Sequence, residues 1–292
     1  MTTRTWIGGG GNNVFSAKDW SPAGVPVAGD TLEMSNGTAN MYGGDLTGAT
    51  FLFGYAPYET STNPVLNVFA GARVTLTEGF GSEPFATTPT VNVYGYDTVN
   101  LVLLSGYERG LQSTVNLAPH AGMAGTIQIG THDASLTING ATGSWFDNTN
   151  TSVGYNSVAT IDATVIGVGS FEMSGYSLLS FGGSVSQGQT VELAGGYNAV
   201  TIDHPTAFHG TIDWVAVAGA NEVAVDLLNI TANSYLFSND RLTLFAGHRI
   251  VDRLHVNAAP GAFDVYATST GVTLQSTGTP ANPGEISLPV HT

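Results

Sequence analysis

The sequence predicts an all-β chain wound as a parallel β-solenoid, with coils of roughly 20–28 residues and atypical segments capping its ends. Three observations lead there. Helical periodicity is almost absent. Short alternating runs rich in Val, Ile, Leu, Thr and Phe recur, each closed by Gly, Asn, Asp or Pro. Those runs also return at a near-constant interval, which separates a solenoid from a β-sandwich or jelly roll with equally short strands.

The opening segment is punctuation. "WIGGGGNNVF" is followed by "DWSPAGVPVAGDTL", Asp19 to Leu32. The first rung of a solenoid exposes unpaired backbone groups and one open face of the core, so a terminal unit has to differ from the rest. Trp6 and Trp20 are apolar plates suited to covering that rung. Pro22 and Pro26 lack the N–H needed to extend a sheet, and Gly29-Asp30 turns the chain into "TLEM". Residues 1–30 are therefore expected to form tail and cap, with Trp6, Trp20, Pro22, Pro26 and Asp30 as capping or assembly residues. "GGGGNN", Gly8 to Asn13, lacks the Lys and following helix of a phosphate loop and reads as a turn.

Residues 31–215 carry the repeats and are expected to be the solenoid body. "LNV", "VNV" and "VNL" place Asn67, Asn92 and Asn116 at intervals of 25 and 24, as stacked amides at a corner. Val74, Val99 and Ile127 follow at intervals of 25 and 28 as a second stack. Neighbouring rungs lie about 4.8 Å apart, so an outward charge meets its own copy one rung away. Thr, Ser and Asn suit such positions better. Residues 216–292 are expected to add β-rich coils and a second cap. The best window for a helix, Asn221 to Tyr235, reads equally well as strand because of its β-branched residues.

Composition narrows function. The chain has 292 residues and a formal charge of −15, with one lysine and six arginines. Nucleic acid and anionic membrane surfaces need clustered basic residues, and no apolar stretch approaches a membrane span. Cysteine is absent, which rules out disulfides and thiolate metal sites. No cofactor is expected, and structural calcium is the one metal for which the acidic balance leaves room.

The opening segment resembles the W-x-G-G … W-S-x-G-x-P-x-x-G-D pattern that begins many autotransporter-like and hemagglutinin-like β-helical surface proteins of Gram-negative bacteria. A second stretch, Ser184 to Ala232, is similar to another segment of those proteins. It includes Phe208-His209-Gly210-Thr211-Ile212 but has "NEVAVDL" where an Asp-led strand is expected, which weakens an Asp-specific role, such as a Ca²⁺ site, at Asn221. The resemblance implies an extracellular or cell-surface passenger-type module. Its expected role is structural or adhesive and not enzymatic, with copies of itself in end-to-end filaments and surface glycans as partners.

A catalytic role would need acidic residues brought together by the fold. All thirteen Asp are isolated in sequence, so a polysaccharide lyase or hydrolase would need a cluster made by stacking, for example Asp133, Asp162 and Asp203. "IDHPTAFHGTID" holds His204 and His209 between Asp203 and Asp213, at a spacing that fits metal ligation poorly and a Pro-containing turn well. "AGHRIVDRLHV" holds His248, Arg249, Arg253 and His255 alternating with apolar residues. It reads as an amphipathic strand pair with a cationic outer face, or as a patch for an acidic partner. Tyr55, Tyr58, Tyr94, Tyr96 and Tyr107 suit loop packing, a subunit interface or glycan contact.

Overall fold

The computed structural model describes residues 1–292 except 9–10, 54–62, 79–87, 104–111, 130–133, 141, 148, 195, 216–222, 260, 278–284 and 291–292. Its body is a β-solenoid, with parallel strands recurring on three faces, sheets A, B and C. Long strands such as Val65–Glu78 bend from one face to the next, so the hydrogen-bonded network is continuous around the coil.

Sheet B sets the repeat. Thr38, Val65, Thr90, Thr114, Thr137, Thr160, Ser180, Thr201 and Asp226 are successive register partners, giving coils of 27, 25, 24, 23, 23, 20, 21 and 25 residues. Sheet A stacks Thr31–Met34, Thr50–Phe53, the end of Val65–Glu78 and then six later strands, the last of them Thr211–Asp213. Sheet C, the shortest face, runs through Gly122–Ala124, Ser144–Phe146 and Thr164–Ile166.

The alternation seen in sequence sorts side chains to the two faces. Inward, Leu66, Val91, Val115, Ile138, Ile161, Phe181, Ile202 and Leu227 form one buried ladder along sheet B. Where the coils shorten, aromatic rings fill the interior: Trp145, Phe171, Phe181 and Phe208 contact one another in sequence at centroid distances of 5.5, 5.2 and 5.7 Å. Tight corners need glycine. A side chain at Gly196 (φ +80°) would lie 2.7 Å from the Gly175 backbone one rung below.

Two expectations change. The asparagines stack, but on the outer face of sheet B within strands and not at a corner, and the row begins at Asn40. Ile127 pairs with Leu101, not Val99, whose neighbour above is Gly125. A two-residue shift keeps every side chain on the same face, so alternation cannot choose between the two registers. The Asn221–Tyr235 window, legible as helix or strand in sequence, holds in its described part the strand Ala224–Leu228 and the start of Ser234–Ser238.

The C-terminal region does not continue the coil. Arg249–Asn257 is the last parallel strand on sheet A, and Arg241–Ala246 and Ser234–Ser238 add to it antiparallel. On sheet B, Gly271–Ser276, Phe263–Ala267 and Ile286–Ser287 follow Ala224–Leu228 in antiparallel order. The two meanders meet through a bridge between Tyr235 and Val290. Among the described residues no helix is long and apolar enough to cross a membrane.

Candidate functional site

At the N-terminal end, the opening segment pairs with the chain's own first rung. Thr3–Trp6 pairs parallel with Thr31–Met34 on one edge and antiparallel with Trp20–Ser21 on the other. Trp20 is 1% exposed, packs edge-on against Trp6 at 5.1 Å and reaches Phe51 at 6.1 Å. Its indole N–H donates to Val14 O at 2.7 Å. Pro26 is buried and Pro22, after a cis bond, is exposed. Asp30 ties the segment together. Its carboxylate accepts from Arg4 Nε at 2.9 Å, Thr2 N at 3.0 Å and Val27 N at 3.3 Å. The Arg4 hydrogen bond, outweighing the effect of burial, holds its pKa below the usual carboxylate value.

Two members of the Asp stack that a lyase or hydrolase would need are not neighbours. Asp162 and Asp203 occupy the same column on sheet B two rungs apart, with Gly182 between them. Asp133 and Asn221 lie outside the described residues, as do Tyr55, Tyr58 and Tyr107. A carboxylate row does exist on the outer face of sheet A, where Glu172, Glu192 and Asp213 are register neighbours on consecutive rungs. The sequence signal was the apolar–acid–apolar triplet in "FEM", "VEL" and "IDW", spaced 20 and 21 residues apart. Asn257 Nδ2 donates to Asp213 Oδ1 at 2.9 Å. Among the described residues no three His, Asp or Glu side chains are grouped to hold a metal ion.

Tyr94 joins a surface ladder with Phe69 and Tyr42, ring planes 12° and 18° apart at 4.9 and 4.7 Å. Tyr176 and Tyr197 stack in a second ladder at 4.6 Å. Stacked rings cover each other's faces, so these ladders offer mainly edges to a ligand such as a sugar.

The two histidine motifs, read separately in sequence, converge. A cleft of about 470 Å³ opens at the seam between Thr211–Asp213 and Arg249–Asn257. Its polar lining comes from Gln187, His209, Thr211, Arg241, Arg253 and His255, over a floor of buried Phe208 and Leu254. His255 Nδ1 is hydrogen-bonded to Thr211 Oγ1 at 3.0 Å. Behind the cleft, burial raises the pKa of Asp252, whose Oδ1 accepts from Arg253 N at 2.8 Å. His204 precedes the 3-10 turn Pro205–Ala207 and is not part of the lining, and neither are His248 and Arg249.

A second polar cluster is internal. Gln189 Nε2 donates to Asp147 O at 2.8 Å, and Gly169, paired with Gln189, leaves the space that the Asp147 carboxyl occupies. Asp147 Oδ2, Thr151 Oγ1 and Gln189 Oε1 are buried without a hydrogen-bond partner. Burial raises the Asp147 pKa to about 6, against the opposing hydrogen bonds from Thr149.

No family model, curated protein or solved structure matches this chain.

Proposed function

We propose that this protein is a secreted or surface-associated β-solenoid with a structural or adhesive role, working through its lateral faces. The observation that supports this reading is a long run of stacked parallel coils, to which the chain's own strands add antiparallel at each end, Trp20–Ser21 at one and the joined meanders at the other. Sheet B offers a long repetitive surface. Thr90, Thr114, Thr137, Thr160, Ser180 and Thr201 form one outward row beside the asparagine row. Such a uniform hydroxyl and amide face suits contact with a repetitive partner, a surface glycan or another copy alongside. The opening-segment resemblance to bacterial surface proteins points the same way.

Sedimentation velocity and negative-stain microscopy at high concentration, with and without Ca²⁺, test this arrangement. Single rods, or rods joined side by side, are expected. End-to-end filaments would instead support exchange of the N-terminal tail between copies.

A carbohydrate-active role is the second reading, favoured by the Glu172–Glu192–Asp213 row. Neighbouring rungs place carboxylates at separations comparable to the roughly 5–5.5 Å of retaining glycosidases. Release of reducing ends from polysaccharides, abolished by Glu172→Gln or Glu192→Gln, would establish it.

A further inference from the structure

The cleft on sheet A concentrates positive charge in a strongly acidic protein. The chain has 22 acidic and 7 basic residues, so carboxylates outnumber their cationic partners three to one. Arg4 takes Asp30. Among the described residues, neither Arg241 nor Arg253 has a carboxylate within ion-pair distance. Both are exposed and both face the cleft.

Register explains their proximity. Arg241 is paired with His255 and Thr243 with Arg253, so the two arginines are diagonal neighbours on one face of an antiparallel pair. Diagonal neighbours lie about 7–8 Å apart. Two guanidinium groups at that separation repel unless an anion lies between them, and each has a planar fork matched to a carboxylate. The Thr211 bond to His255 Nδ1 leaves Nε2 as that ring's remaining hydrogen-bonding atom, and His209 and Gln187 complete the rim.

We propose that this cleft binds the carboxylate of a single acidic sugar, a uronate at a chain end or sparsely placed along a glycan. Its volume falls within the range of small-molecule sites. Gln187 and Thr211 supply neutral partners for sugar hydroxyls. One row away stand Asp213 and Glu192, which repel a densely charged polymer but tolerate one negative charge held at the arginines. A protein partner would want an apolar anchor pocket, and the cleft's apolar residues, Phe208 and Leu254, are 3% and 1% exposed. The site stands independently of the surface-module reading, because it requires only the seam geometry.

Titration calorimetry on the full chain, with cellobiouronate (one glucuronate linked to glucose) as probe, tests the assignment against cellobiose, sodium sulfate and a glutamate-rich peptide. Cellobiouronate should bind more tightly than the other three. Arg241→Gln and Arg253→Gln should each weaken it by about tenfold or more, the usual consequence of losing a hydrogen bond to a charged group. Arg253→Lys should fall between, keeping charge without the fork, and Arg249→Gln, outside the cleft, should leave binding unchanged. Circular dichroism of each variant checks that the fold is retained. Equal binding of sulfate would overturn the sugar assignment, and tighter binding of the peptide would replace it with a protein partner. No cellobiouronate binding, or binding indifferent to both arginines, would overturn the site itself.

Discussion

Asn92 donates from Nδ2 to Asn67 Oδ1 at 2.8 Å, one rung below, and the same bond recurs from Asn40 to Asn139. Each inner asparagine gives one amide bond down the axis and receives one from above. The row therefore pins register at 27, 25, 24 and 23 residues per coil while leaving the outer face uncharged.

Asn92→Ala removes two of these bonds and Asn139→Ala removes one. At about 1 kcal/mol net per bond, plus the penalty for stranded partners, Asn92→Ala should cost about 2 kcal/mol and Asn139→Ala about half that. Urea unfolding of the two variants side by side checks the order. Equal costs would mean that the row contributes no register-specific stability.

Trp20→Ala should be the most damaging change at the N-terminal end, at about 3–5 kcal/mol for a buried aromatic removed from a packed site. It also uncovers the first rung, so the variant should self-associate where the parent stays dispersed, as light scattering would show. Asp30→Asn weakens the tether to Arg4 more gently. Because the folded-state pKa of Asp30 is depressed, its contribution is present above 3.8 and is lost as pH falls through the lower folded value. Tryptophan fluorescence should therefore report loosening of the parent's cap in strong acid.

Asp147 has the opposite sign. Its pKa is raised from 3.8 to about 6 by burial, so the fold binds this proton more tightly than the unfolded chain. Stability from this group is fully present below 3.8 and is lost as pH rises through about 6. The full swing is about 3 kcal/mol, at about 1.4 kcal/mol per pH unit. Asp147→Asn should therefore be more stable than the parent at pH 8, with the advantage gone near pH 4. A variant less stable than the parent at both pH values would show that the carboxylate has a partner essential to the fold.

Much of the architecture was legible in the residues. Alternation within "TVNV" or "LTIN" decides which side chains face the core, because the strand period is two. The recurrence of Asn67, Asn92 and Asn116 supplied the coil length, and the Trp- and Pro-rich opening marked one end. These features are local or repeat at short range. Register and convergence were not legible. Leu101 and Val99 face the same side, so only the path of the intervening corner, with Gly125 seated on Val99, selects Leu101 as the partner of Ile127. Asp147 and Gln189 are 42 residues apart, and Thr211 and His255 are 44 apart. Each pair meets only because coils of particular length stack between or beside its members. Tertiary structure alone decided which charges stand alone, which carboxyl is buried and which cations share a cleft, because burial and spacing between coils belong to the stack and not to any one strand.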